Sequence, residues 1–200
     1  TVLAQDFVYK DPMRNAIFLD NHDISRFFSV VAEDVTKYKS SINWLLTCRG
    51  IPQFYYGGEI GMTGVTSPND GFVRQDFPGG WASDPANKFT DAGRTDKERA
   101  IWNHLARLAN FRKTSSALTT GRMMQFLPVD GVYVYFRYDD KQTIMVVMNT
   151  AKEKKNVSLG RFAERTNGFT RARNVQTGAI APLSEFALES YDSVVLELLK

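Results

Sequence analysis

The sequence predicts an α/β segment followed by an all-β module, and two changes in hydrophobic pattern indicate this order. In the first half, short strand-like apolar runs flank a segment with helical periodicity, which is typical of a strand–helix–strand unit. From about Leu118, apolar residues recur at every second position, which is typical of antiparallel strands in a β-sandwich. We therefore expect the boundary between Ser115 and Gly121, which gives predicted domains 1–116 and 117–200.

The first half contains the predicted strand–helix–strand unit. Residues 16–20 begin as an apolar, strand-like run and are expected to form a short buried strand. Thr36 is predicted to cap a helix that runs to about Arg49, where Gly50 ends it. Residues 53–56 then form a second predicted strand. The two strands of such a unit are parallel, so both end at the same edge of the sheet.

A long irregular stretch, residues 62–94, comes next and is rich in glycine, proline and aspartate. Loops of this length inside compact domains are uncommon and are often functional. A helix is predicted after it, because Thr95 and Glu98 match a capping box and apolar residues recur behind them at helical spacing. This helix is expected to end near Arg112 or Lys113.

The second half is predicted to consist of short antiparallel strands joined by turns. Alternation is clearest from Val132, and it is followed by a turn at residues 139–141 and a strand over residues 143–148. Further strands are expected near residues 155–159, 170–175, 184–189 and 193–199. A half-exposed sheet face is expected to carry the tyrosines of the alternating strand, Tyr133, Tyr135 and Tyr138.

Composition argues against several functional classes. The 200 residues are 43% hydrophobic and 24% charged, and a net charge of +3 is weak evidence for an anionic partner. A nucleic acid is therefore not an expected partner. A membrane is not expected either, because no apolar run approaches the length of a membrane span. Cys48 is the single cysteine and cannot form an intrachain disulfide. We expect it to be a small buried residue rather than a nucleophile, because it lies in an apolar helical stretch.

The most informative segment is residues 16–23, in which an apolar run ends abruptly in Asp20, Asn21, His22 and Asp23. Polar side chains at the end of a buried strand are how an α/β enzyme delivers catalytic groups to a cleft. A lone Asn-His-Asp would indicate only a solvated strand end. The strand before it and the second motif described below favour a functional site.

The same run resembles the Phe-(Val/Leu)-Asp-Asn-His-Asp motif of the α-amylase family of glycoside hydrolases. The resemblance implies that Asp23 is a catalytic carboxylate that stabilises developing positive charge and holds sugar hydroxyls. It also implies that His22 hydrogen-bonds the sugar at the cleavage subsite, that Asn21 assists substrate binding, and that Asp20 is structural. The implied fold of residues 1–116 is the last two βα units of a (β/α)8 TIM barrel, followed by an antiparallel β-sandwich domain.

A second motif, residues 50–62, looks like the last barrel strand of the same family and its glycine-rich exit loop. Gly58 departs from the family pattern, which often has Asp at this position. Glu59 has the chemistry of a catalytic acid, but the resemblance assigns the acid elsewhere, and we expect Glu59 to bond loop amides. Tyr55 and Tyr56 are expected to pack in the barrel.

A third motif, residues 71–81, is similar to the segment that follows the last strand in neopullulanase- and cyclomaltodextrinase-type members. Its Arg74, Asp76 and Trp81 are candidate substrate contacts. Aromatic faces bind the apolar faces of sugar rings, whereas Arg and Asp bind hydroxyls. A loop pinned by its own aromatic residues explains the same pattern equally well.

The resemblance also implies that the catalytic site of this chain is incomplete. In the family, the nucleophilic aspartate and the acid glutamate lie on earlier strands. Asp20 and Asp23 cannot replace that pair, because residues three apart on one strand point to opposite faces. The chain alone is therefore expected to be inactive on its implied partner, an α-glucan oligosaccharide.

The resemblance also bears on cofactors, on the oligomeric state and on the cellular compartment. No cofactor is expected in this segment and no residues show metal-ligand spacing, so a calcium ion would bind in the missing part of the parent enzyme. The truncated barrel surface would need a cover, for example in a homo-oligomer. The chain starts at Thr1 without a signal-peptide pattern, which leaves its compartment undetermined, although the resemblance fits a periplasmic or extracellular location.

Other functions remain open at this point. One is a non-catalytic relative that keeps an amylase-like barrel for protein interaction, although the intact run from Asn21 to Asp23 argues against it. Another is a carbohydrate-binding module formed by residues 118–200. Within the family, transglycosylation competes with hydrolysis. His104, on the capped helix, is expected to be a surface or helix-packing residue.

Overall fold

The computed structural model describes residues 2–200, and its first half contains a small parallel pair of strands. Strand β1 (Ala16–Ile17) pairs in parallel with β2 (Ile51–Pro52), and helix α2 (Val35–Thr47) lies between them in sequence. The predicted strand–helix–strand unit is therefore observed. Both strands are shorter than expected, and β2 precedes the predicted segment 53–56.

The expectation that the first strand is buried is wrong for this chain. Side chains in and beside the strand pair are accessible: Ile51, which pairs with Ala16, is 57% exposed, and Phe18, directly after β1, is 45% exposed. The reason is that, among the described residues, β1 and β2 each have one neighbouring strand and therefore one open edge. The apolar run has the composition of a buried strand without the neighbours that would bury it.

Helix α2 begins two residues earlier than predicted. The side chain of Asp34, not Thr36, caps it by accepting hydrogen bonds from the Thr36 and Lys37 amides at 2.9 and 3.0 Å. A short helix α1 (Phe27–Val30) precedes it. The chain reverses between the two helices at Ala32 and Glu33, which both have positive φ angles.

Helix α3 (Asp96–Thr114) confirms the predicted capping box. The Thr95 hydroxyl accepts a hydrogen bond from the Glu98 amide, and the Glu98 carboxylate accepts one from the Thr95 amide. A further short helix, α4 (Ser116–Thr119), follows at the predicted boundary. The irregular segments contain short 3₁₀ helices at Val2–Val8, Pro12–Arg14, Gly58–Ile60, Asp70–Val73, Asp91–Gly93 and Gly160–Phe162.

The second half consists of antiparallel strands, as predicted. The strands are β3 (Arg122–Gln125), β4 (Val132–Tyr138), β5 (Thr143–Asn149), β6 (Lys155–Val157), β7 (Arg171–Asn174), β8 (Ile180–Pro182), β9 (Phe186–Leu188) and β10 (Ser193–Leu199). Six of them form one sheet in the order β3-β4-β5-β10-β7-β8, and β6 pairs with β9 in a separate ribbon. A short helix α5 (Ala163–Thr166) lies between β6 and β7.

The six-stranded sheet is covered on both faces. On one face, Val134 and Met145 pack in a core with Val157 and Leu188 of the two-stranded ribbon. On the other face, residues of β4, β5 and β10 pack in a second core with α2, α3 and α4. The sheet is therefore shared by both halves of the chain.

The tyrosines of β4 follow the expectation only in part: Tyr133 and Tyr138 are half-buried, whereas Tyr135 is not accessible. Tyr135 is fully buried, and its hydroxyl lies 2.5 Å from the hydroxyl of Thr47 at the end of α2. The Tyr133 hydroxyl donates to Gln125 of the neighbouring strand. Helix α2 covers this face, and that packing between distant segments is not visible in the alternation alone.

Cys48 and His104 lie where the sequence predicts. Cys48 is completely buried, and this burial raises the pKa of its thiol to about 11, which suits an inert core residue. His104 packs between α3 and α2, with its Nε2 atom 2.8 Å from Asn43 Oδ1. Within the described part of the chain, no helix has the length and apolar character of a membrane span.

Candidate functional site

The loop that leaves β1 carries the polar run on which the sequence analysis rests. Asp20 is buried at its start, and its Oδ2 accepts a hydrogen bond from the Phe27 amide at 2.7 Å. Burial raises the pKa of Asp20 above its usual range, while the Phe27 amide and the charge of Arg26 act in the opposite direction. Asp20 thus joins the two ends of the loop, which suits the structural role expected of it.

Asn21, His22 and Asp23 lie on the accessible side of this loop. The Asn21 side-chain oxygen accepts a hydrogen bond from the Asp23 amide at 2.8 Å, which forms an Asx turn. His22 Nε2 lies 3.3 Å from Asp23 Oδ2. The Asp23 side chain is 61% exposed, so its carboxylate is oriented by its neighbours and still accessible to a ligand.

Arg74 joins the long loop to this group. Its Nε donates to the His22 carbonyl at 2.9 Å, and its Nη2 donates to Asp23 Oδ1 at 3.2 Å. The same Nη2 lies 3.0 Å from Asp70 Oδ2. The structure therefore brings Arg74, one of the three loop candidates, into direct contact with Asp23.

Asp76 and Trp81 form a separate pair. The indole Nε1 of Trp81 donates to Asp76 Oδ2 at 2.9 Å, and the Trp81 residue is 65% exposed. Nearby in the chain, the rings of Phe77 and Phe89 pack at a centroid distance of 4.4 Å. The described contacts do not join this pair to Asp23. The loop is thus pinned partly by its own residues, while the Trp81 ring stays accessible.

A buried cation lies below the Asp23 loop. Arg26 is 1% exposed, and its guanidinium carbon lies 4.1 Å from the ring centroid of Tyr55 and 4.7 Å from that of Tyr56. Its Nη1 donates to the Tyr56 carbonyl. Cation–π contacts of this kind strengthen when they are desolvated.

Tyr55 and Tyr56 also bind the long loop. The Tyr55 hydroxyl donates to the Val73 carbonyl at 3.3 Å, and the Tyr56 hydroxyl donates to the Gln75 carbonyl at 2.7 Å. These two carbonyls flank Arg74 in the sequence. The tyrosines therefore contact the long loop, in addition to any packing role.

Glu59 does not behave as expected in one respect. Its Oε2 atom is buried and accepts no hydrogen bond from the described residues, so this oxygen does not bond loop amides. The neighbouring Gly58 carbonyl accepts a hydrogen bond from the Tyr38 hydroxyl at 3.0 Å. Burial raises the pKa of Tyr38 far above its usual range, and the charges of Asp20 and Glu59 add to this shift.

The sequence reasoning missed two residues of this arrangement. Asp70 binds Arg74, and its position four residues before Arg74 could have indicated the pair, because the intervening residues form a helical turn. Arg26 follows Asp23 by three residues. Its position directly before Phe27 and Phe28 was the available signal for it.

The arrangement suits recognition of a polyhydroxylated ligand. Asp23 offers acceptor oxygens, and the accessible side chains of His22 and Arg74 offer donors beside it. Sugar hydroxyls need both kinds of group. Across residues 2–200, no group of three or more His, Cys, Asp and Glu side chains is placed to hold a metal ion.

Two family models match the chain. A model described as the catalytic domain of alpha amylase matches residues 3–117, and one described as the cyclo-malto-dextrinase C-terminal domain matches residues 123–197. The first of these covers more than half of the chain.

Curated relatives match over most of this chain and a small part of their own length. A cyclomaltodextrin glucanotransferase of Geobacillus stearothermophilus is 28% identical over 189 residues, which is 90% of this chain and 24% of that protein. A cyclomaltodextrinase of Geobacillus thermopakistaniensis (strain MAS1) is 30% identical over 155 residues, which is 76% of this chain and 24% of that protein. The chain thus spans about a quarter of the length of these relatives.

A solved structure shows the same fold. The crystal structure of an alpha-amylase from Geobacillus thermoleovorans, complexed with acarbose, aligns over 100% of this chain and 42% of its own, with a TM-score of 0.77 and 23% identity.

Proposed function

The chain belongs to the α-amylase family of glycoside hydrolases, and on that premise we propose that it is the C-terminal part of an enzyme that cleaves α-glucosidic bonds. The proposed substrates are starch-type glucans, pullulan or cyclodextrins. The relatives that act on cyclomaltodextrins and the acarbose complex of a solved α-amylase support an oligosaccharide substrate. Transglycosylation remains the alternative outcome within the same chemistry.

In this proposal, residues 1–116 form the last two βα units of a (β/α)8 barrel and residues 117–200 form a β-sandwich domain. The parallel pairing of β1 with β2 across α2 supports the first part, and the two antiparallel sheets with a core between them support the second. The open edges of β1 and β2 and the exposed side chains beside them need a cover. That cover is either the upstream part of the parent enzyme or a second copy of the chain.

The proposed mechanism is retaining hydrolysis, with the nucleophile and the acid supplied upstream of this chain. Asp23 then serves as the third carboxylate, which stabilises the positive charge of the oxocarbenium-like transition state. Its two oxygens have different neighbours, Arg74 on one side and His22 on the other. These contacts restrict the rotation of the carboxylate before a sugar arrives, and pre-orientation of this kind lowers the barrier.

The remaining candidates are proposed substrate contacts. His22 and Arg74 would donate to sugar hydroxyls beside Asp23, and Asn21 would fix the turn that presents them. Trp81 would offer its accessible face to a sugar ring, with Asp76 orienting the indole. The single observation that carries the proposal is the direct contact of Arg74 with Asp23, because it joins two motifs that are 51 residues apart.

The test compares Asp23→Asn with Asp140→Asn in the full-length parent enzyme. Asp140 is an exposed carboxylate in the turn between β4 and β5, so it controls for the loss of one negative charge. We expect Asp23→Asn to lower kcat on maltooligosaccharides by about a thousandfold or more, equivalent to roughly 4 kcal/mol of transition-state stabilisation. Asp140→Asn should leave kcat unchanged. An Asp23→Asn enzyme with unaltered turnover would remove Asp23 from the mechanism.

The 200-residue chain by itself is proposed to be inactive. Reducing-sugar release from maltooligosaccharides, pullulan and cyclodextrins should stay at the buffer level for the purified chain. Release that disappears in the Asp23→Asn chain would show that the upstream carboxylates are not needed.

A carbohydrate-binding module formed by residues 118–200 is the second candidate. The burial of Tyr135 under α2 argues against it, since this face of the sheet offers no accessible aromatic platform at that position. Titration of the chain with maltooligosaccharides distinguishes the site at Asp23 from a site on the β-sheet. Weaker binding in Asp23→Asn would indicate the first site, and weaker binding in Tyr133→Ala would indicate the second.

A further inference from the structure

Arg26 connects two loops that the proposed function brings together. Its backbone amide donates to the Gly64 carbonyl at 2.9 Å, and its guanidinium lies against the rings of Tyr55 and Tyr56. The rings touch one another edge to face, with centroids 4.7 Å apart and an interplanar angle of 68°. A planar cation that packs on both rings fixes their relative orientation.

The two rings carry this orientation to the long loop. Their hydroxyls donate to the carbonyls of Val73 and Gln75, one residue before and one residue after Arg74. The backbone at Arg74 is therefore held from both sides. Arg74 in turn donates to the His22 carbonyl and to Asp23.

We propose that Arg26 is a positioning residue that holds Arg74 against Asp23 through the two tyrosines. This inference rests on the function proposed above for Asp23. Arg26 does not itself reach the accessible surface, because it is 1% exposed. It acts by limiting where the 73–75 backbone can lie, and thus where the Arg74 guanidinium meets the carboxylate.

The hydrogen bonding of Arg26 argues against a role in stability alone. Its Nε and Nη2 atoms are buried and have no hydrogen-bond partner among the described residues. Burial of a cation with so few hydrogen bonds carries a large desolvation penalty. An apolar side chain of the same size would fill the same volume without that penalty. The charge of Arg26 favours the ionised form of the buried Asp20, and its contacts with the tyrosine pair give it a second role that extends to the long loop.

The first experiment measures the position of Arg74 without any catalysis. In the ¹⁵N-labelled 200-residue chain, NMR gives the hydrogen-exchange rate of the Arg74 Nε–H, which donates to the His22 carbonyl. We expect Arg26→Met to speed this exchange by about tenfold, because the tyrosines lose the group between them. Arg137→Met is the matched control, since Arg137 is also completely buried but lies on β4 under the end of α2. It should lower the melting temperature and leave the exchange rate of Arg74 unchanged.

A second variant keeps the proposal testable if Arg26→Met does not fold. Tyr56→Phe retains the ring and removes the hydrogen bond to the Gln75 carbonyl. It should speed exchange by about threefold. If Arg26→Met folds, an unchanged exchange rate of the Arg74 Nε–H in that variant would overturn the proposal. If it does not fold, an unchanged rate in Tyr56→Phe would do so.

The second experiment measures the reaction in the full-length parent enzyme. Arg26→Met should lower kcat by between about tenfold and a hundredfold, as expected for a small displacement of a reacting group, with less than a threefold change in KM. The double variant Arg26→Met, Arg74→Ala should be no slower than Arg74→Ala alone, because Arg26 acts through Arg74. Losses that multiply in the double variant, or an unchanged kcat in Arg26→Met, would contradict the positioning role. The two proposals can fail separately. If the wild-type parent enzyme is inactive on these substrates but Arg26→Met still speeds the exchange of the Arg74 Nε–H, the proposed function is refuted and the positioning role of Arg26 stands.

Discussion

Replacing Arg137 with methionine should destabilise the 200-residue chain by about 3 kcal/mol. Arg137 is completely buried, and its guanidinium donates to the carbonyls of Thr47, Cys48 and Gly121 at 3.0, 2.8 and 3.0 Å. Two of these carbonyls belong to the end of α2, where helix carbonyls lack intrahelical partners and a cation is favourable.

The magnitude follows from two opposing effects. Arg137→Met leaves three buried carbonyls without a donor, and each such loss costs about 1–3 kcal/mol. Removal of a buried cation recovers several kcal/mol of desolvation energy. The difference is a net loss of about 3 kcal/mol, which corresponds to a fall in melting temperature of about 6–12 °C for a chain of this length.

Urea unfolding followed by circular dichroism measures this loss in the 200-residue chain. The midpoint should fall while the m-value stays constant, because the surface exposed on unfolding does not change. Arg122→Met is the control: Arg122 is exposed on the adjacent strand β3, and its replacement should change the free energy of unfolding by less than about 0.5 kcal/mol. A variant at position 137 that matches or exceeds the wild-type stability would refute the reasoning and show that desolvation outweighs the three hydrogen bonds.

Two further predictions concern α3. Thr95→Ala removes the hydroxyl of the capping box and should lower the free energy of unfolding by about 1 kcal/mol, whereas Thr95→Ser should not, as urea titration would show; equal losses in both would mean that the cap is not the cause. Burial lowers the pKa of His104 to about 4, below its ordinary value of 6.5. Between these values the unfolded chain binds a proton that the folded chain excludes, so stability should fall as the pH drops from about 6.5 to 4. Unfolding curves of the wild type and His104→Gln across this range check the prediction, because the variant should lose that part of the pH dependence. If the free energy of unfolding changes with pH in the same way in both proteins, His104 is not the cause.

Sequence patterns predicted those features that depend on a few adjacent residues. The capping box at Thr95 needs only a residue three positions away, and it is present as expected. Alternation identified the central strands β4 and β5. The start of α2 differs from the prediction, because Asp34 and Thr36 are both good capping residues and the sequence pattern does not distinguish them.

The candidate site was predictable as far as it is contiguous. Asn21, His22 and Asp23 form one run, and the geometry keeps them together. The contact of Arg74 with Asp23 joins residues 51 positions apart, so a loop motif could name Arg74 without indicating which group it binds. The catalytic and binding roles of these residues remain predictions that the variants above address.

The features that the sequence could not reveal depend on packing between the two halves. Tyr135 and Arg137 alternate with apolar residues on β4, and Tyr135 is expected on a half-exposed face of the sheet. Both are buried, because α2 lies across that face. The alternation of a strand distinguishes two faces and does not indicate what covers each of them.

This packing gives the β module an indirect part in the site. Helix α2 lies in one core with Val146 and Val195 of the six-stranded sheet, and Tyr38 of α2 belongs to the same core. Tyr38 in turn donates to the Gly58 carbonyl, in the loop that follows the tyrosine pair, and its ring packs on Phe28 next to the Asp23 loop. The sheet thus fixes α2, and α2 contacts both loops from which the candidate site is built. We therefore expect the β module to stabilise the position of the two loops that form the candidate site, and not to act as an independent domain.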